Sequence, residues 1–394
     1  MMQVSTHKVV MDKFSQARLL FPHTNSISYF NSASYGPFCT PVQKAIEANI
    51  AVRLAADRDD SHDTFEAAEQ LRGDYATLVG ADSRQIGLGL NTSFGLNIAA
   101  FGLPLEPGDE ILVSDIEFPA IVYTWQAAAQ TRGLKVRFVA STDRQFDINK
   151  FQECITAKTK VLSLSYVQFF NGYKNDLAAL SKICKENNIY FVVDGIQGMG
   201  VEPVDVTKIG IDIFTSGCQK WLLAPQGCGF FYLSDQIRKR LGIPFMSWLG
   251  VDWEMKFGDL FHYDRPYFDS AQKYELGYYA VLNILGMKAS ANLFLDLGIE
   301  NIQKHNHVLI DRLADYVKSS GYYTVTSSLE EKHRSAIFTF TCPKFEELHK
   351  MILKAGIILV TREGSIRVSV HLFNDESDID KLIETLEQFQ QKQS

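Results

Sequence analysis

The sequence has no apolar run approaching the roughly 20 residues that span a bilayer. Its opening stretch, MMQVSTHKVVMDKF, has no long apolar segment of the kind that marks a secretory signal. It also has no basic run or stripe. Its 39 Lys+Arg stand against 46 Asp+Glu, a net charge of −7, so nothing steers it toward nucleic acid. The six cysteines are scattered and form no CxxC pair, which argues against a disulfide framework and a zinc site and leaves free thiols. There is no internal repeat and no low-complexity tract. These absences leave a soluble globular protein, expected in the cytoplasm, with no metal and no membrane or nucleic-acid partner.

What is present is a long alternation of apolar strands and amphipathic helices. The chain has 394 residues, enough for two or three domains at roughly 100–200 residues each. Residues 41–56 and 63–79 have helical spacing, the first with Pro41 in its opening turn and the second closed by Gly80. QIGLGLNTSFGLNIAAFGL begins as a buried strand, turns at Asn91–Ser93 and continues as a helix. Strands follow at 109–115, 134–140, 159–167, 189–194, 212–217 and 228–234, with helices expected at 124–133 and 176–188. Strands that are apolar almost throughout, separated by helices, indicate an α/β fold with a mostly parallel sheet covered on both faces. From about residue 270 the pattern changes to two long helices joined near Gly298, then short strands and helices. A large domain over 22–270 and a smaller α+β domain over 271–394, joined by the N-terminal segment 1–21, are expected.

The chemistry concentrates in IYFVVDGIQGMGVEPVDVTKIGIDIFTSGCQKWLLAPQGCGFFYL, residues 189–233. Asp194 closes one apolar strand, and Lys220 follows just past the end of another. Ligand sites of open α/β sheets lie beyond the carboxyl ends of strands. A lysine in low-dielectric surroundings loses its proton readily and becomes a nucleophile toward an aldehyde. A buried carboxylate needs a cationic partner, and a protonated pyridine nitrogen is one. Taken singly, such an aspartate is a turn residue and such a lysine a solvated charge; their placement at two successive strand ends carries the signal. The run Gly195-Ile-Gln-Gly198-Met-Gly200 does not fit the GxGxxG spacing of a dinucleotide-binding turn, which disfavours a nucleotide-dependent oxidoreductase.

The stretch Asp194, Gln197 and Ser216-Gly217-Cys218-Gln219-Lys220-Trp221 resembles the fold-type I pyridoxal phosphate enzymes of the class V aminotransferase group. That group includes cysteine desulfurases, kynureninases and isopenicillin N epimerase. The resemblance implies pyridoxal 5'-phosphate as cofactor, held as a Schiff base on Lys220, with Asp194 on the pyridine nitrogen and Gln197 on the phenolic oxygen. It implies a phosphate cradle of Thr92 and Ser93 at the turn NTSFG, with Ser216 and Gln219, the latter where many relatives carry His. It implies that Phe118, in IEFPAIVYTW, stacks on the ring where desulfurases usually have His.

The segment Glu275-Leu276-Gly277-Tyr278 resembles one through which relatives reach the phosphate of the other subunit's cofactor, which implies a homodimer with shared sites; Tyr278 replaces the family's Thr. Arg367, in RVSVHLFN, is expected to grip the substrate α-carboxylate. Arg362 is read as a loop charge. Asn31 and Ser34, in YFNSASYGP, are expected to line the substrate pocket. The stretch 361–366 has no cysteine where the larger desulfurases carry their sulfur acceptor. The reaction expected is therefore transamination of an α-amino acid, with β-elimination as a C–S lyase, or epimerisation, as the alternatives on the same scaffold.

Overall fold

A computed structural model describes residues 11–56, 61–254 and 258–393. The first strand, β1 (Ser28–Tyr29), stands apart from the main sheet. That sheet is built from β2 (Ile86–Gly89), β3 (Glu110–Ser114), β4 (Lys135–Val139), β5 (Thr159–Ser165), β6 (Tyr190–Asp194), β7 (Ile213–Gly217) and β8 (Gly229–Leu233). Its seven strands lie in the order β2-β8-β7-β6-β5-β3-β4. β4, β3, β5, β6 and β7 run parallel, β8 is antiparallel to β7, and the edge strand β2 is antiparallel to β8.

The sheet needs cover on both faces because its strands are apolar on both. Leu162, Leu164, Phe191, Val193, Phe214, Phe230 and Tyr232 enter one buried cluster. Their alternates Val161, Val192, Ile213, Phe231 and Leu233 enter another on the opposite face. The period of two assigns each strand's side chains to two separate cores.

A second, smaller sheet holds β9 (Thr324–Val325), β10 (Ile337–Thr341), β12 (Val360–Arg362) and β13 (Ser365–Ser369), in the antiparallel order β12-β13-β10-β9. The remaining strand, β11 (Ile357–Ile358), pairs in parallel with β1 and so ties the N-terminal segment to the C-terminal region. The core here runs from Leu309 to Phe389, with Phe30 inserted from the N-terminal segment. Residues Ile284 to Ile302, by contrast, belong to the main core. The helix Ile299–Ser319 contributes to both, with Ile299 and Ile302 in the main cluster and Leu309 to Val317 in the second. The composition change at 270 reports a switch to long helices, and the first of these, Val281–Leu297, packs against the helices Thr40–Ala55 and Ser61–Val79.

One helix begins earlier than its expected start at 124. It spans Pro119–Arg132, with Pro119 in the opening turn and Ile121, Thr124, Trp125 and Ala128 buried at helical spacing. The apolar face starts at Ile121, three residues before the expected start.

Two close approaches shape the carboxyl edge of the sheet. A Cβ at Gly95 would collide with Thr215, so only glycine lets the helix Thr92–Gly102 lie against β7. A Cβ at Gly36 would collide with the carbonyl of Lys220. The Gly36 N–H instead donates to the Gln219 carbonyl at 2.9 Å, laying residues 31–37 over the Lys220 turn.

A buried ion pair supports this edge from behind. Arg72 donates to Glu275 through Nε (2.9 Å) and Nη2 (2.8 Å), and Glu275 also accepts from the Leu88 N–H at 2.9 Å and from the Tyr279 hydroxyl. The pair joins the helix Ser61–Val79, β2 and the segment 275–279. Removing one partner strands the other charge in the interior. Glu275→Ala is expected to lower unfolding free energy by about 3–5 kcal/mol, read by urea denaturation, with Glu275→Gln losing less.

Candidate active site

Every strand of the parallel part ends toward one edge, and the side chains that matter stand there. Lys220 lies two residues past Cys218, just beyond the end of β7, half-buried, with its Nζ 5.5 Å from the centre of the Phe118 ring. Burial lowers its pKa to about 8; the negative charge of Asp194 opposes that shift, and the positive charges of Arg367 and Arg362 add to it. Asp194, at the end of β6, is 2% exposed and accepts one hydrogen bond, from the Ile196 N–H at 2.9 Å. Burial pushes its pKa up to about 6, against that hydrogen bond and the charge of Lys220. An amine and a carboxylate thus face each other in a place that favours the neutral form of both.

The helix Thr92–Gly102 points its N-terminus at the same edge. Asn91 caps the Phe94 N–H at 3.0 Å and leaves the first-turn N–H groups of Thr92 and Ser93 for a ligand. The Thr92 hydroxyl accepts from the Gly217 N–H at 2.8 Å, and the Thr92 carbonyl accepts from the Thr215 hydroxyl at 3.1 Å. These bonds lock the helix start against the strand that delivers Lys220. Ser216 is buried there, its hydroxyl donating to the Gly217 carbonyl at 3.0 Å. Gln219 holds its Oε1 buried without a partner.

Gln197 is more committed than expected. Its Nε2 donates to the Ala33 carbonyl at 3.0 Å, and its Oε1 accepts from the Trp221 indole at 2.8 Å. One amide N–H remains for a ligand. Arg367 is 2% exposed and donates to the Phe169 carbonyl at 2.6 Å and to the Ser34 hydroxyl, while its Nε has no partner. Burial, with the charge of Arg362, brings its pKa down to about 9. Asn31 forms a parallel bridge with Ser369 and keeps its Oδ1 buried and unpaired. Lys220, Asp194, Thr92, Ser93, Ser216, Gln219, Gln197, Phe118, Ser34 and Arg367 are thus gathered around one strand edge.

Gly277 and Tyr278 have other neighbours. The Gly277 N–H donates to Ser247 at 2.9 Å, and the half-exposed Tyr278 ring packs on Phe65 and Trp248. The cysteines also stand elsewhere. All six are free; Cys218 meets the Tyr75 hydroxyl at 3.3 Å, Cys228 donates to the Pro225 carbonyl at 2.8 Å, and Cys342 is buried in the second core.

Three residues went unread in the sequence. Glu117, beside Phe118, is buried and accepts from Ser165 and from Gln168 Nε2 (2.9 Å); burial raises its pKa to about 7 despite those bonds, with the charge of Asp194 adding to the rise. Gln168 is fully buried with a free Oε1. Phe169 meets Phe118 edge-on at 5.2 Å. A glutamate next to an apolar turn looks like solvated surface, and only the fold packs it against the end of β5. Arg362 differs from its expected reading as a loop charge. It lies on β12, and its Nη2 reaches the Ser34 hydroxyl at 3.5 Å.

This arrangement fits pyridoxal phosphate. The helix start offers backbone N–H donors for a phosphate, beside Ser216 and Gln219. Asp194 lacks the strong cationic hydrogen-bond partner that a pyridine nitrogen would supply. Phe118 offers a flat apolar face above the amine of Lys220.

The comparisons agree. Residues 46–382 match the family model of aminotransferase class-V. An uncharacterized aminotransferase of Bacillus subtilis is 22% identical over 94% of this chain and 96% of its own length. A cysteine desulfurase of Haloferax volcanii is 24% identical, with 83% of this chain and 80% of the relative covered. Among solved structures, the cystine C–S lyase C-DES with its product cysteine persulfide superposes with a TM-score of 0.84 at 22% identity, covering 93% of this chain and 98% of that one. A mutant of C-DES has been solved with glycine covalently linked to its pyridoxal phosphate, and its TM-score is 0.86. With its matched fold and the edge just described, this chain belongs to the aminotransferase class-V family, and it is a pyridoxal-phosphate-dependent enzyme of amino-acid chemistry.

Proposed function

We propose that the enzyme is an aminotransferase acting on an α-amino acid, with Lys220 as its one catalytic base. The observation that carries this reading is the setting of Lys220: an amine brought near neutrality, with Asp194 on one side, unpaired arginines on another and the Phe118 ring over it. When bound, pyridoxal phosphate supplies an aldehyde that condenses with amines and a ring that draws electrons from the amino acid's Cα.

This chain's residues do the rest. Asp194 would pair with the pyridine nitrogen and keep it protonated. Thr92, Ser93, Ser216 and Gln219 would hold the phosphate, and the remaining N–H of Gln197 the phenolic oxygen. Phe118 would offer its face to the ring. Arg367 orients the substrate through its carboxylate by a planar fork of donors, with Asn31 and Ser34 lining the pocket. Lys220, its amine brought near neutrality, would be the group that takes up and moves the substrate's Cα proton. Gly277 and Tyr278 serve the phosphate of a partner subunit in a homodimer, which suits their lying apart from Lys220.

Transamination needs one base that works at two adjacent carbons. Epimerisation requires a proton carrier on the second face, and Phe118 carries no proton. A persulfide relay requires an accessible cysteine, and no cysteine stands with Lys220. A C–S lyase is the second reading. It needs the same base and no enzyme cysteine, and the match to C-DES supports it.

Three outcomes test this. Purified protein mixed with single L-amino acids, without a keto acid, is expected to lose its yellow band as the pyridoxamine form accumulates, and a keto acid is expected to restore it. A persistent band with pyruvate and sulfide accumulating would make it a lyase instead. Lys220→Ala is expected to lose borohydride-fixable cofactor by mass spectrometry and about 10²–10⁴-fold in the half-reaction rate.

The third outcome is a pH dependence of the protein stripped of cofactor. Asp194 rises from 3.8 to about 6 and Glu117 from 4.5 to about 7 on folding. Between about pH 4 and 7 the folded state then binds more protons than the unfolded state, so these two acids reduce stability as pH rises, and the loss is complete above pH 7. Asp194→Asn is expected to flatten this fall in melting temperature. Parallel curves for the two proteins would show that Asp194 does not titrate as a buried acid.

A further inference from the structure

Arg362 and Arg367 share one face of the small sheet. The register pairs Val360 with Arg367 and Arg362 with Ser365 across the antiparallel β12 and β13. Residues two apart on a strand point the same way, so Arg362 stands diagonally across from Arg367 on that face. Both guanidiniums reach one oxygen, the Ser34 hydroxyl. The oxygen accepts from both, which leaves its own O–H to donate to an incoming acceptor.

Among the described residues, neither arginine forms an ion pair. Arg362 otherwise bonds only the neighbouring Thr361 carbonyl, at 2.9 Å. Arg367 is buried with a free Nε. Two like charges this close, one of them desolvated, are unfavourable unless an anion sits between or beside them. One substrate α-carboxylate balances one of them. The second positive charge remains, and no acidic side chain of the described fold is aimed at it.

We propose that Arg362 is a specificity-determining residue that binds a second carboxylate, so that the enzyme's preferred substrates are short amino dicarboxylates of the aspartate and glutamate kind. This inference rests on the reading of the edge as an amino-acid site. Arg367 takes the α-carboxylate, Arg362 takes the side-chain carboxylate, and the Ser34 hydroxyl donates to whichever oxygen falls between them. The nearness of the two arginine heads suits a short carbon chain between the two acid groups. Arg362, only partly buried, sits at the outer side of the pair, where a side chain would extend from Cα.

The test separates the arginine pair from the reaction. Titrate the cofactor-loaded protein calorimetrically with succinate and with propionate, neither of which turns over. Succinate is expected to bind about tenfold or more tightly than propionate, a gap of one charge-assisted contact. Arg362→Ala and Arg362→Gln are expected to erase most of that gap, and Arg367→Ala to weaken both ligands. In turnover, the preference in kcat/KM for aspartate or glutamate over alanine is expected to fall about tenfold in Arg362→Gln. Equal weakening of succinate and propionate by either Arg362 substitution would mean that both arginines grip one carboxylate, and the proposal fails. Equal binding of the two ligands by the unaltered protein also defeats it. A protein that takes up no pyridoxal phosphate and answers to no amino acid would overturn the proposed function instead, and the binding comparison would still report on the arginines.

Discussion

The site depends on one electrostatic constraint: Lys220, Asp194 and Arg367 are drawn to a single sheet edge where burial opposes charge. Lys220 is pulled toward its neutral amine and Asp194 toward its neutral acid, and each holds the other's charge in place only in part. Arg367 is nearly sealed from solvent, with no counter-ion among the described residues. A fold does not arrange this for stability, since unpaired buried charge is costly. A ligand that brought a pyridine nitrogen, a phosphate and a carboxylate into the same space would relieve that strain. The ligand's charges are thus inscribed as the complement of what the chain leaves unmatched.

The rest of the architecture serves to hold that edge. The parallel strands deliver Asp194 and Lys220 side by side because β6 and β7 are neighbours in register, Asp194 opposite Thr215. Thr215 and Gly217 then anchor the helix that starts at Thr92, so the anion-binding N–H groups and the amine are set by the same hydrogen bonds. Arg72 and Glu275 brace this helix's strand from behind, through the Leu88 N–H. From the other side, Gly36 lets the N-terminal segment close over the Lys220 carbonyl, carrying Ser34 to the arginines. Three parts of the chain remote in sequence therefore converge, and each is held by contacts to the next.

Much of the large sheet was legible because its strands are apolar on both faces and end in chemically marked residues. DIFTSG and IYFVVD declare both their burial and their orientation. Asp194, Lys220 and the NTSFG turn could be placed because their meaning depends on neighbours within a few residues. What escaped was set by long-range packing. Glu117 and Gln168 meet only when β5 lies beside the turn after β3, and nothing local distinguishes that glutamate from a surface charge. The start of the helix at Pro119 was missed because its apolar face begins inside IVYTW, which reads equally well as a loop.

Arg362 is the sharpest case. By sequence, TREGSIR offers two arginines five residues apart around a Gly turn, and a hairpin register decides whether they share a face. A shift of one residue in the pairing of β12 with β13 would send Arg362 to the opposite side. The observed register, with Val360 opposite Arg367, instead puts both cations above Ser34. Lys220 and Asp194 are fixed by neighbouring strands of the large sheet, whereas the arginines beside them are set by a hairpin of the small one. On the proposed reading the first pair would serve the proton chemistry and the second the choice of substrate.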